Sequence, residues 1–249
     1  MDKLRFRRIF CSFLTVTIDQ VYQQKSEDEM LPRVIVHNSV SLDGSLTGFD
    51  VNMALHYQIA AEYKPNAHLI GSNTMRRGLE LYGDGVPPEE KGDFEKPKKD
   101  NSLPYWVIPD TQGTLMGLLH TFRRFEFCRD VVALVSERTP KRYFKYLRER
   151  NYDHHVVGNK HVNLKKSLTL LYEKYSVKTV LADTGRVLSN LLLNQKLVSE
   201  ISLLVHPVIV GRKSYNMFRD VSSIDLRLTK ADRLDNDVVW LVFTPKIGT

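Results

Sequence analysis

Little in this chain can be cross-linked, and none of it is built to cross a bilayer. It has two cysteines, Cys11 and Cys128, and no CxxC spacing, which excludes a disulfide framework. A reducing cytoplasm is the compartment that this usage fits, and nothing beside either thiol suggests activation. No stretch is long and apolar enough for a transmembrane helix. The eight histidines show no HExxH or other metal spacing, so no metal is expected. His154-His155 stands isolated, and His206, before Pro207 on an apolar run, reads as a core or sheet-end histidine. Internal repeats and low-complexity segments are absent too.

What is present has the balance of a soluble globular protein, 42% hydrophobic and 26% charged,. One large α/β domain is the simplest reading of 249 residues, with two small domains as the alternative,. The formal charge of +7 attracts phosphates, nucleic acid or anionic lipid without choosing among them. The first 29 residues differ from the rest: Met1 to Arg8 is basic, Ile9 to Ile18 apolar, Gln20 to Glu29 polar. That is the outline of a signal peptide, but Asp2 and the missing small-residue cleavage site count against secretion. Met30 directly precedes the first convincing strand. Residues 1–29 are therefore expected to be an extension, disordered or upstream of the true start, and residues 30–249 a single domain.

Arg33 to Ser39 reads as a buried strand leaving through the turn Ser41-Leu42-Asp43-Gly44. Val51 to Tyr63 reads as a helix and Ala67 to Gly71 as a short strand, with Ser72-Asn73-Thr74 offering caps for a helix to about Leu81. Tyr82 to Asn101 reads as a loop, either a solvated insertion or a lid. Strands are expected at Pro104–Pro109, Val131–Val135 and His154–Val157. Helices are expected at Thr114–Phe127, at Leu164–Tyr175 and from Pro140, in a first turn, to about Arg150. Two late strands, near Leu226–Leu234 and Val238–Phe243, flank hairpin-turn chemistry at Asp235-Asn236-Asp237. The mostly β-α-β order predicts a mixed sheet with helices on both faces and an antiparallel C-terminal hairpin.

One stretch stands out. The strand-like Lys178 to Ala182 feeds Asp183-Thr184-Gly185-Arg186 and a Leu-rich helix, and the apolar run Ile201 to Val210 follows. A Gly-containing turn that opens a helix leaves backbone N–H groups pointing outward, and such groups bind phosphate. In α/β sheets ligands sit at the carboxyl ends of strands. Asn38 to Asp43, Ser72 to Thr74, Ser136 and Asp183 to Arg186 all fall at such ends.

Four segments together carry a family resemblance: Asn38-Ser39-Val40-Ser41-Leu42-Asp43-Gly44, Ile70-Gly71-Ser72-Asn73-Thr74, the Asp183-Thr184-Gly185 turn with its helix, and Leu197 to Ile201 leading into His206-Pro207-Val208-Ile209-Val210-Gly211. Over residues 31 to about 244 the chain resembles the reductase domain of riboflavin biosynthesis, in its stand-alone form. The resemblance implies a dihydrofolate-reductase-like three-layer fold and an NADPH-dependent oxidoreductase. It implies reduction of a ribosylamino-pyrimidine 5′-phosphate to its ribitylamino form, with the protein positioning two partners while the cofactor supplies hydride. It also implies a phosphorylated small-molecule substrate and a homodimer.

Carried onto these positions, the resemblance gives Asp43 and Asp183 catalytic roles and makes Asn38, Ser41, Asp43 and Asp183 substrate contacts. It assigns the cofactor to Thr74 and Ser136, and the helix-opening turn adds Thr184, Gly185, Arg186 and Val187 as cofactor contacts. Plainer readings stand beside these. Asp43 could bond only within its turn, and a buried Asn38 could be satisfied internally. Thr74, Ser136 and Asp183 could each be a helix or turn cap. Arg186 opposes the helix dipole, which a phosphate between them would reverse. Two departures matter. The family's Glu-Gly-Gly turn is Asp183-Thr184-Gly185 here, one methylene shorter at the acid. An expected acid is Gly78, after Arg76-Arg77, which means a changed substrate or a helix facing solvent. A related reductase on another small substrate is thus the second reading. A nucleic-acid binder using the aromatic-basic run His120 to Phe127 is a minor third.

Overall fold

The computed structural model of the chain describes residues 31–83 and 85–246. The expected extension 1–29, with Cys11 and the proposed start at Met30, lies outside the described residues. Nine strands form one sheet: β1 (Arg33–Ser41), β2 (Ala67–Leu69), β3 (Tyr105–Pro109), β4 (Val131–Val135), β5 (Asp153–Val156), β6 (Thr179–Ala182), β7 (Glu200–His206), β8 (Leu226–Arg233) and β9 (Val239–Pro245). Their order is β5-β4-β3-β2-β6-β1-β7-β9-β8. From β5 to β7 every pairing is parallel, and β9 joins β7 antiparallel. The mixed, mostly parallel sheet and its C-terminal hairpin are what the element order predicted. Asn236 and Asp237 take the left-handed conformation at the hairpin turn.

Six helices cover the two faces: α1 (Met53–Glu62), α2 (Ser72–Tyr82), α3 (Leu119–Arg123), α4 (Lys141–Glu149), α5 (Leu164–Tyr175) and α6 (Arg186–Asn194). Strand alternation decides which residue meets which helix. Val34, Val36, Val40, Val180 and Ala182 pack with Leu168 and Leu171 of α5 and Leu188 and Leu192 of α6. Residues one step along turn the other way. Ile35 and Leu181 meet Ala60 of α1, while Trp106, Ile108, Val131 and Ala133 meet α2, α3 and α4 through Met75, Phe122 and Tyr143. Each fully buried aliphatic side chain contributes roughly 1.5–3 kcal/mol. Side-chain caps set two helix starts, Asn52 accepting from Leu55 N–H and Asn163 from Lys166 N–H,. Among the described residues no helix is long and apolar enough to cross a membrane.

One expectation fails in detail. The helix read over Thr114 to Phe127 shrinks to Leu119–Arg123. Gly113 and Gly117 turn the chain with positive φ before it. Beyond it, Lys99 Nζ donates to the carbonyls of Arg123 (2.7 Å) and Cys128 (2.8 Å), fixing an irregular exit. The Tyr82–Asn101 segment is largely without regular structure, as expected, but it is held in place. Lys91–Phe94 forms a 3₁₀ turn, and ion pairs bolt the segment down. Glu89 accepts two bonds from Arg150 at 2.6 Å. Asp93 accepts from Arg124 at 3.0 Å. Arg123, only 3% exposed, donates to Asp130 and to the carbonyls of Asp93, Glu95, Arg150 and Asn151. Arg123 and Phe122 of the aromatic-basic run therefore serve the interior, and Arg124 is paired with Asp93, while Phe125 and Phe127 stay exposed.

Candidate active site

The carboxyl ends of β2, β6 and β1 lie side by side, and the turns leaving them interlock. Gly71, after β2, donates its N–H to Thr184 Oγ1 at 3.0 Å. Gly185, after β6, donates its N–H to Thr74 Oγ1 at 3.1 Å. Each turn lends a hydroxyl to the other's glycine, so the start of α6 is tied to the start of α2. Both glycines sit in tight surroundings: a Cβ on Gly71 would lie 3.0 Å from Thr184 Oγ1, and one on Gly185 3.2 Å from Thr74 Oγ1, so each threonine would have to give way by a few tenths of an ångström. Thr74 is thus no cap of its own helix; Gly71 holds that position, with no capping side chain.

This clasp revises the expectation at Gly185, whose N–H is engaged by Thr74 and is not free for a ligand. The first-turn amides of α6 from Arg186 onward still precede any intrahelical acceptor, and Gly185 as N-cap supplies no side chain to them. Val187 is exposed there. Arg186 is turned aside: its guanidinium lies 4.0 Å over the Tyr215 ring, with Nε 3.6 Å from Asp220 Oδ2. Nε is buried without a hydrogen-bond partner. Ser136 stands at the end of β4, beyond β3 from the clasp, where its Oγ accepts from Arg138 N–H and donates to Lys160 O.

Asp43 is the anchor of its own turn. Oδ1 accepts from Ser41 Oγ (2.6 Å) and Val210 N–H (3.0 Å), and Oδ2 accepts from Gly211 N–H (3.0 Å). The Ser41 hydroxyl, then these amides, lower its pKa to about 2. A carboxylate so held is a poor proton donor at neutral pH, and its bonds fix Ser41 as well. Gly44 next to it has φ +76, and a Cβ there would lie 2.8 Å from Asn216 Nδ2, so only glycine closes this turn.

Asp183 is different. Its side chain is 22% exposed at the end of β6, and Oδ2 lies 3.4 Å from Nε2 of His56 on α1. Burial works to raise its pKa, but His56 above all, with His37 and His68, outweighs that and keeps the carboxyl below its ordinary range,. Asn38 alternates to the opposite sheet face from His37 and Ser39. It is buried, and its Nδ2 has no partner among the described residues. The structure thus joins Thr74, Thr184, Gly185 and Asp183 in one place, sets Asn38 on the adjacent strand two residues past the Val36–Ala182 pairing, and keeps Asp43 and Ser136 in separate settings.

Sequence reasoning missed the histidines around Asp183. A polar ring at position 37 of an otherwise apolar strand was the available signal, because a buried polar group needs a partner. Among the described residues no group of three or more His, Cys, Asp or Glu is placed to hold a metal ion. Cys128 is buried, which pushes its thiol up to about 12, out of reach of nucleophilic use.

Residues 32–240 match the RibD C-terminal domain family. Among solved structures, RibD of Acinetobacter baumannii superposes with TM-score 0.64 at 17% identity, over 88% of this chain and 59% of that one. This chain therefore spans well under two thirds of that protein's length. A pyrimidine reductase-like protein of Corynebacterium diphtheriae gives TM-score 0.64 at 16% identity, over 87% of this chain and 93% of that one. The riboflavin biosynthesis reductase of Saccharomyces cerevisiae gives 0.60 at 18%, over 87% and 91%. No curated protein matches by sequence.

Proposed function

The chain belongs to the RibD C-terminal domain family, and from that premise we propose that it is an NADPH-dependent reductase of the riboflavin-pathway kind. Its substrate on this reading is a ribosylamino-pyrimidine 5′-phosphate, reduced to the ribitylamino form. The observation that carries the reading is Asp183, an ionised, partly exposed carboxylate beside the Thr74–Gly185 clasp at the uncapped start of α6.

The residues present fit a dinucleotide in part. First-turn amides at Arg186 and Val187 suit a phosphate, and the glycine turns allow backbone to approach a ligand closely. Arg186 joins only by leaving Tyr215, and Gly185 contributes close approach and not its N–H. Bound, a reduced nicotinamide would supply hydride. The chain's own part is to orient and to exclude water. Asp183 accepts a donor of the substrate, Thr74 and Thr184 hold the two turns together, and Asp43 orders the turn after β1. Ser136 and Asn38 remain as outlying contacts for an extended ligand. The homodimer implied by the resemblance and the cytoplasmic location read from cysteine usage belong to the same proposal.

A second reading, a reductase of another small substrate, draws on Asp183 as a short acid. Gly78 supports it less: no atom lies within 4 Å of the Cβ it would carry, and Arg76 is exposed, 3.9 Å from Glu80. That stretch faces open space. Turnover of reduced NADPH with the ribosylamino-pyrimidine phosphate as substrate tests the first reading. NADPH binding without that turnover favours the second, and absence of NADPH binding removes both.

A further inference from the structure

Behind Asp183 lies a buried imidazole network that none of the roles above uses. His37 Nδ1 is 2.9 Å from Ser202 Oγ, and its Nε2 is 3.2 Å from the carbonyl oxygen of His56. A carbonyl only accepts, so Nε2 carries the hydrogen and Nδ1 accepts from Ser202. Ser202 Oγ in turn accepts from Trp240 Nε1–H at 2.9 Å. Every hydrogen in that chain has one place to go, and the chain ends on the backbone of His56. The His37 ring also lies against the His56 ring, centroids 4.5 Å apart. His56 is therefore held at its main chain from β1, β7 and β9 together.

Its side chain, 6% exposed, has two polar neighbours. Nδ1 is 3.1 Å from Ser39 Oγ, and Nε2 is 3.4 Å from Asp183 Oδ2. A Ser39 hydroxyl donating to Nδ1 leaves the hydrogen on Nε2, the ring nitrogen that lies next to the carboxylate. The other titratable rings nearby are His68 on β2, His206 on β7 and Tyr57 on α1. Burial lowers the pKa of His68 and His206, so neither competes as a cation, and Tyr57 meets His56 edge-on at 5.2 Å.

We propose that His56 is the positioning residue of this site, its Nε2–H holding Oδ2 of Asp183 so that the carboxylate keeps one orientation and offers its free oxygen to the ligand. The inference rests on the reductase reading for what the ligand is, but not for the contact itself. The 3.4 Å separation is an ion-pair contact longer than the 2.7–3.2 Å of a formed N–H···O bond,; on this proposal it closes to a hydrogen bond when the site is occupied, as catalytic contacts that are loose without ligand do. A carboxylate fixed from behind as an anion selects a ligand group that donates: a protonated imine nitrogen or a ribose hydroxyl.

Two measurements on the full chain test this. In the first, histidine-15N-labelled protein is read by NMR, with no ligand present. The wild type should show the Nε2–H tautomer at His56 with a hydrogen protected from exchange, and Asp183→Ala should lose that protection. A His56 carrying its hydrogen on Nδ1, or a signal indifferent to Asp183→Ala, overturns the proposal. The second compares turnover in His56→Phe and His56→Gln. Misplacing a reacting group costs about 10²-fold. His56→Phe should therefore lose roughly that in kcat with KM for NADPH unchanged, and His56→Gln, which keeps a donor, should recover about tenfold of it. Equal kcat in wild type and His56→Phe, both folded, also overturns it. If the wild type does not turn over the pyrimidine phosphate, the reductase reading fails, and the NMR result still decides the role of His56.

Discussion

Replacing Thr184 by valine keeps the shape of the side chain and deletes the oxygen that Gly71 N–H needs. Thr184 is 2% exposed, and its Oγ1 lies 3.0 Å from that nitrogen. The valine methyl takes the place of this oxygen and faces the amide with an apolar group. The cost is then the desolvation of an orphaned amide, about 1–3 kcal/mol, and not the smaller net worth of an exchanged hydrogen bond. For a domain of this size, 2 kcal/mol lowers Tm by roughly 4–8 °C. Thr184→Ser retains the oxygen and should stay close to wild type. Because Thr74 and Gly185 form the reciprocal half of the clasp, Thr74→Val and Thr184→Val should couple by about 0.5 kcal/mol or more in a double-mutant cycle. Denaturant unfolding of the wild type, the three single variants and the double variant measures all of this. Equal stability of Thr184→Val and Thr184→Ser would show that the clasp holds nothing.

Three other outcomes follow from the same geometry. Arg123→Ala strips the partner from Asp130, whose carboxyl burial already pushes up, and should cost about 3–5 kcal/mol; a loss near zero in urea unfolding would refute the reading of segment 82–101 as bolted in place. Asp43 has a folded pKa near 2, below the unfolded value of roughly 3.9. Its stabilising effect is whole above the unfolded value and fades as pH falls through the folded one, so Asp43→Asn should flatten the loss of stability between those limits. His37 is held down to about 4 from 6.5, by burial first. The native fold is then undermined as pH falls from the higher value to the lower, by about 3 kcal/mol at most, and His37→Gln should lack that limb in a pH series of unfolding midpoints.

Much of the architecture was legible because it is local. The continuously buried run in Arg33–Ser41, the buried run Val131–Val135 and the Leu-rich stretch after Gly185 each declare an element without reference to distant residues. Thr114–Phe127 misled because its aromatic spacing mimics a helix, while what ends the helix is Lys99, some 24 residues away at its nearest acceptor. The site was legible in outline and not in wiring. Thr74, Thr184, Gly185 and Asp183 could be named, since turn residues at strand ends are visible in sequence. That Thr74 takes the Gly185 amide depends on β2 lying beside β6, a pairing across more than a hundred residues. The same holds for His56: its meaning comes from Asp183 and Ser39, which sit on other elements.

Binding at the start of α6 and hydride transfer beside Asp183 are the core of the account, and one measurement bears on both. Purified full chain is titrated with NADPH, and the loss of reduced-nicotinamide absorbance is followed on adding the ribosylamino-pyrimidine 5′-phosphate, in wild type and in Asp183→Asn. Saturable binding by both proteins, with turnover in the wild type and a kcat lower by about 10²-fold or more in Asp183→Asn, is the expected result. No NADPH binding, or turnover undiminished by Asp183→Asn, would contradict it.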